Sequence, residues 1–139
     1  MTVTLSDEAR RYIALFEDET GAAARDCLIE DDRIVFVVAP GDMADAVGPG
    51  GQTVRRLEET LGSDVELVEA AGTPEAFVAN ALAPAAVYNV TISDNDTTVA
   101  YAEVAEEDKG VAIGTDGRNI DLARRLLDRH FDIEDVELT

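Results

Sequence analysis

Cysteine, histidine, lysine and tryptophan are nearly missing from this 139-residue chain, which has one Cys (Cys27), one His (His130), one Lys (Lys109) and no Trp. A single cysteine excludes an intramolecular disulfide, and one Cys with one His cannot assemble a zinc site within one chain. No stretch reaches the roughly 18 uninterrupted apolar residues of a membrane-spanning helix. The start, MTVTLSDEARRYIALF, lacks the basic-then-apolar order of a secretory signal. These absences point to a cytoplasmic protein with no membrane attachment, no metal and no cofactor. Basic residues are scarce too: 11 Lys plus Arg face 30 Asp plus Glu, a formal net charge of −19. Bulk charge of that sign excludes the usual basic nucleic-acid binder, whose whole surface attracts phosphate.

The apolar fraction, 46%, is nevertheless that of a folding chain, because disordered acidic tails lack the apolar surface to offset chain entropy. The acids are spread evenly, 16 through residue 70 and 14 after it, and all but one of the 11 bases are Arg. Even acidity with almost no Lys resembles the proteome style of organisms that live in concentrated salt, where self-repulsion is screened within about 3 Å at 1 M. The −19 is therefore read as halophilic adaptation before it is read as information about a ligand.

An internal repeat organises the rest. Residues 47–54 read VGPGGQTV and residues 113–120 read IGTDGRNI, so Gly48 matches Gly114 and Gly51 matches Gly117 at an offset of 66. Val47 with Ile113, Val54 with Ile120 and Leu61 with Leu127 keep the same offset. The chain reads as two copies of one module, residues 1–72 and 73–139, joined at Gly72, Thr73 and the helix-starting Pro74.

In the first copy, Ser6 caps an amphipathic helix with Ala9, Tyr12, Ile13 and Phe16 on one face, ending at Gly21. Strands are expected at about 25–30 and 33–39, a short helix from Asp42 to Val47, a glycine turn, a helix from Gly51 to Leu61, and a strand from Val65 to Glu69. The second copy repeats the order: a helix from Pro74 to Leu82, strands at 86–92 and 98–104, a short helix Lys109–Ile113, a glycine turn, a helix from Arg118 to Arg129, and a strand Ile133–Leu138. Each copy is thus an α+β unit, a three-stranded sheet covered by three helices.

That order, with G-x-x-G between the last two helices, resembles the type II KH domain, and two in tandem within this length resemble the archaeal NusA-like transcription factors. The most specific stretch is Asp108 to His130, DKGVAIGTDGRNIDLARRLLDRH. The resemblance implies a single-stranded RNA-binding protein acting in transcription elongation, termination or antitermination, a monomer, with RNA polymerase as a further partner, and not an enzyme. It also implies that Gly48, Pro49, Gly50 and Gly51, and Gly114, Thr115, Asp116 and Gly117, approach RNA phosphates, since a KH loop clamps about four backbone nucleotides. Glycine lets the backbone come close without a Cβ, and the following helix presents amides and its positive dipole end to an anion. Base contacts would come from Val47, Val54, Ile113 and Ile120, which read equally well as core.

The few bases concentrate at these loops. Residues 48–61 and 109–130 hold 7 of the 11: Arg55, Arg56, Lys109, Arg118, Arg124, Arg125 and Arg129, against five acids. Arg55, Arg56, Lys109 and Arg118 are the phosphate candidates, while Arg124, Arg125 and Arg129 also fit a solvated helix face paired with Asp121 and Asp128. The loops depart from the family pattern by carrying no Lys or Arg between the glycines, and Asp116 would repel phosphate. The first copy is accordingly expected to lead. Other chemistries fail on residues: the third glycine of a dinucleotide fingerprint would fall at Thr53, and the Asp94, Asn95, Asp96 run lacks the Gly and Glu of a calcium loop and reads as a hairpin turn. The remaining alternative is an acidic adaptor on the same fold, contacting RNA polymerase or the ribosome without strong RNA affinity.

Overall fold

The computed structural model describes residues 3–139. The chain divides into two compact units, Thr4–Ala70 and Ala71–Thr139. In the first, Ser6 accepts a hydrogen bond from the Ala9 amide at 3.1 Å and starts α1 (Asp7–Thr20), with Asp7 and Glu8 at its positive end. Gly21, at φ 75°, ends it as the pattern predicts. Strands β1 (Ala24–Ile29) and β2 (Arg33–Val38) form an antiparallel hairpin around Asp31 and Asp32. Helices α2 (Met43–Val47) and α3 (Gln52–Leu61) flank the glycine loop, and β3 (Asp64–Glu69) returns parallel to β2, so the sheet order is β1-β2-β3.

The second unit repeats the plan. Thr73 caps α4 (Pro74–Leu82) by accepting from the Ala76 amide at 3.3 Å. Strands β4 (Val87–Asp94) and β5 (Thr98–Val104) pair antiparallel. Helices α5 (Lys109–Ile113) and α6 (Arg118–Phe131) flank the second loop, and β6 (Asp135–Leu138) lies parallel to β5. The order β4-β5-β6 copies the first sheet. Even the irregularities match: the first strand of each sheet bulges by one residue, at Arg25 in β1 and at Tyr88 in β4.

The first core centres on Phe16 and Phe36, whose rings stack at 4.6 Å, among Ala9, Cys27, Ile34, Val38 and Leu57. Burying each ring contributes about 1.5–3 kcal/mol. Central strand β2 departs from one-sided alternation, since all six of its residues are buried on both faces. Its run RIVFVV already has the continuous apolar character of a strand with two dry faces. Arg33, 3% exposed, is neutralised by Glu30 at 2.7 Å with Glu66 at 3.9 Å. In the second unit Phe77 stacks on His130 and meets Phe131 edge-on, each at 5.4 Å. His130 thus sits in the last turn of α6 and packs on Phe77 from there.

Most boundaries lie within one or two residues of the sequence reading, β4 for instance running to Asp94 rather than 92, and the differences at the end of the chain have a visible cause. Helix α6 continues to Phe131 rather than Arg129, and β6 starts at Asp135 rather than Ile133. Asp132 turns left-handed at φ 55° and donates to Asp128 O, and the Ile133 amide donates to Leu127 O at 3.2 Å. Buried Ile133 therefore belongs to the wrap that closes the helix, not to the strand. Each short helix is also joined to the next by a single 3₁₀ turn, Pro49–Gly51 in one unit and Thr115–Gly117 in the other.

Candidate nucleic-acid interface

The two loops adopt one backbone shape. Gly48 and Gly114 sit at φ/ψ 75/171° and 77/172°, Gly50 and Asp116 at 60/22° and 56/23°, Gly51 and Gly117 at 77/12° and 79/12°. In each loop the last glycine donates to the first glycine's carbonyl at 3.1 Å. The first glycine is required twice over. A Cβ on Gly48 would overlap Thr53 Oγ1 and lie 2.9 Å from the Thr53 backbone nitrogen, and one on Gly114 would lie 2.7 Å from Asn119 Nδ2. Asp116 occupies the third position in the left-handed region that Asp tolerates better than most residues.

Side chains invisible as site residues in the sequence hold this shape. Asn119 Nδ2 donates to Val111 O at 3.0 Å, tying the start of α6 to the end of α5 behind the loop. Its counterpart in the first unit, at the offset of 66, is the buried Thr53. Asp42 Oδ2 accepts from the Ala23 amide at 3.0 Å and Asp108 Oδ2 from the Ala86 amide at 2.9 Å, anchoring α2 and α5 to the strands. The offset of 66 pairs Asp42 with Asp108 and Thr53 with Asn119, and was the signal that would have found them.

The expected bases divide into distinct groups. Arg55 bends back so that Nη1 donates to Gly50 O at 2.8 Å, which puts its guanidinium on the first loop itself. Arg56, on the next position of α3, is exposed. Lys109 is paired with Glu106 at 2.9 Å, an exposed contact that a stronger anion competes with easily. Arg118, exposed, opens α6 directly after the second loop. Arg124 is committed elsewhere: its Nε donates to Asp135 Oδ1 at 2.7 Å and its Nη1 to Asp121 Oδ1 at 3.0 Å, joining α6 to β6. Desolvation works against its charge, but the bonds to Asp121 and Asp135 outweigh it and raise its pKa. The helix-face reading of Arg124 therefore holds, through an i, i+3 pair and a strand carboxylate.

Among the base-groove candidates, Ile113 is 42% exposed beside the second loop, with Val111 at 46% on the same short helix. Val47 and Val54 are half-buried, and Ile120, 5% exposed, is core. Pro49 has no N–H, so the first loop offers one amide fewer than its glycines suggest. On one side of Arg55 opens a cleft of about 620 Å³ lined by Asp31, Asp32, Glu58, Glu59 and Asp64. Among the described residues no helix is long and apolar enough to cross a membrane, and no group of His, Cys, Asp and Glu is arranged to hold a metal ion.

Comparison with known proteins agrees with this geometry. The KH domain family model matches residues 10–71, and the model of the NusA-like second KH domain matches residues 74–139. The chain is 66% identical over 139 residues, all of both chains, to the probable transcription termination protein NusA of Halobacterium salinarum. It is 64% identical to the same-named protein of Halococcus morrhuae over 99% of each, and 28% identical to that of Methanocaldococcus jannaschii over 98% of this chain and 75% of the relative. A crystal structure of the protein APE1850 superposes with a TM-score of 0.85 at 31% identity, covering 97% of this chain and all of that one. Two α+β units of one topology, two glycine loops of one shape and matches along the full length together place this chain in the archaeal NusA-like family of tandem KH proteins.

Proposed function

We propose that this chain is a single-stranded RNA-binding protein of transcription termination or antitermination, holding the RNA backbone at its glycine loops. The observation that carries the reading is the repetition of one loop shape, each loop opening a helix of at least ten residues and each preceded by a short helix braced to the sheet. Gly48, Gly50 and Gly51 with Arg55 and Arg56 form the first contact, and Gly114, Thr115 and Gly117 with Lys109 and Arg118 the second. Val47, Val54, Val111 and Ile113 supply the apolar side for bases. The names of the relatives support the place in transcription, and RNA polymerase is the protein partner that place implies. Backbone contacts suit a −19 molecule, because they position RNA without a general field of positive charge.

The test is a titration of short single-stranded RNA against the parent and a variant with Pro49→Asp and Gly50→Asp, with circular dichroism as folding control. Asp116 shows that an aspartate accommodates the left-handed position of Gly50. The variant is expected to stay folded and lose most of its affinity. If it binds as tightly as the parent, the adaptor reading, an acidic surface meeting a basic face of the polymerase, takes its place.

A further inference from the structure

The loops share a backbone but not a charge. Four residues beyond the last glycine of the first loop stands Arg55, and at the offset of 66 its counterpart is Asp121. Both side chains return over the loop they follow. An ideal Cβ on Gly51 would lie 3.1 Å from Arg55 Nη1, and one on Gly117 would lie 3.6 Å from Asp121 Oδ2. The same small volume beside the last glycine therefore holds a guanidinium edge in one unit and a carboxylate edge in the other. Asp121 is fixed there by Arg124, which bonds its other oxygen at 3.0 Å. Asp116 adds a second carboxylate within the loop, where the first has Gly50.

We propose that position 55/121 decides which loop leads in holding phosphate: Arg55 makes the first loop the stronger phosphate site, and Asp121 with Asp116 weakens the second. This rests on the RNA-binding reading above and assigns unlike tasks to its two halves. Arg55 replaces the cation missing between the glycines. One Nη1 bond to Gly50 O holds it, which leaves further guanidinium N–H groups in a planar fork suited to a phosphate. The carboxylates of the neighbouring cleft act against it only through solvent, and near 1 M salt their reach is about 3 Å, so the group in direct contact prevails. The second loop keeps the apolar surface of Val111 and Ile113, 46% and 42% exposed, where the first unit has Asp45 and Val47 at the matching positions. The second unit is thus fitted to bases and the first to backbone.

The experiment is fluorescence anisotropy of a labelled short oligouridylate against the full chain over a series of KCl concentrations. Arg55→Gln keeps a donor for Gly50 O and removes the charge. It is expected to weaken binding about tenfold and to flatten the slope of log K against log salt by about 0.7, the value for one phosphate contact on a single strand. Arg55→Lys should restore the slope. Asp121→Arg with Asp116→Gly should steepen it by about 0.7, and Asp121→Asn with Asp116→Gly, a milder change for the Arg124 pair, should tighten binding. A parent that binds while Arg55→Gln keeps its slope, or an unchanged affinity in both folded Asp121 variants, overturns the proposal alone. A parent that binds no RNA at any salt overturns the RNA-binding reading along with it.

Discussion

At the level of single residues, the glycines of the loops are not interchangeable with one another or with other glycines. Gly48→Ala and Gly114→Ala combine positive φ with a Cβ inside the van der Waals contact of Thr53 or Asn119. Each is expected to cost about 1–3 kcal/mol in backbone strain, with more from the clash, read as a lower urea midpoint. Gly72→Ala, with open space around it and no positive φ, is the control and should stay within about 0.5 kcal/mol of the parent. Cys27 gives a second test. Burial, with help from Asp26 and Glu8, pushes its thiol from 9.0 up to about 12. Below pH 9 the thiol is protonated in both states and costs nothing. Between the unfolded and folded values only the unfolded chain gives up the proton, so stability falls as pH rises, by about 1.4 kcal/mol per unit. Urea titrations from pH 8 to 11 should show that decline in the parent and less of it in Cys27→Ala.

Elements are positioned by a few long-range ties that local pattern does not announce. The caps at Ser6 and Gly21 were legible because each acts within four residues. The bonds between Asp42 and Ala23 and between Asp108 and Ala86 span 19 and 22 residues, beyond the reach of any local pattern. Asp108→Ala is expected to cost about 1 kcal/mol, since water partly replaces an exposed bond. Amide exchange at Ala86 should accelerate, with the Asp42→Ala variant showing the same at Ala23. The start of β6 was misplaced for a related reason: Ile133 has strand-like chemistry, but its amide and side chain are used to close α6.

For the whole molecule, the dominant quantity is the net charge of −19. Like charges at this density repel, and salt screens them, so the melting temperature should climb between low salt and molar KCl. Each kcal/mol of repulsion relieved raises the midpoint by about 4–8 °C for units of this size. A melting curve that is flat or falls with KCl would remove the halophilic account of the acidity and return the charge to the question of the partner. On the proposed reading, the same screening lets so acidic a chain bind RNA: close contacts at Arg55 and the loop backbone would survive when the long-range field does not.

The sequence by itself determined the duplication, the order of elements in each copy and the place of both loops, because these rest on periodicity, turn residues and an offset that survive in one dimension. It also identified the acids and bases near the loops, but not what they do. Only the tertiary structure decided that Arg55 lies on its loop, that Asp121 lies on the other, that Arg124 is held by Asp135 eleven residues on, and that Ile120 is core. Each of these depends on where a flexible side chain ends or what packs across a sheet. Such outcomes are set by competition among distant partners, and spacing along the chain does not record which partner wins.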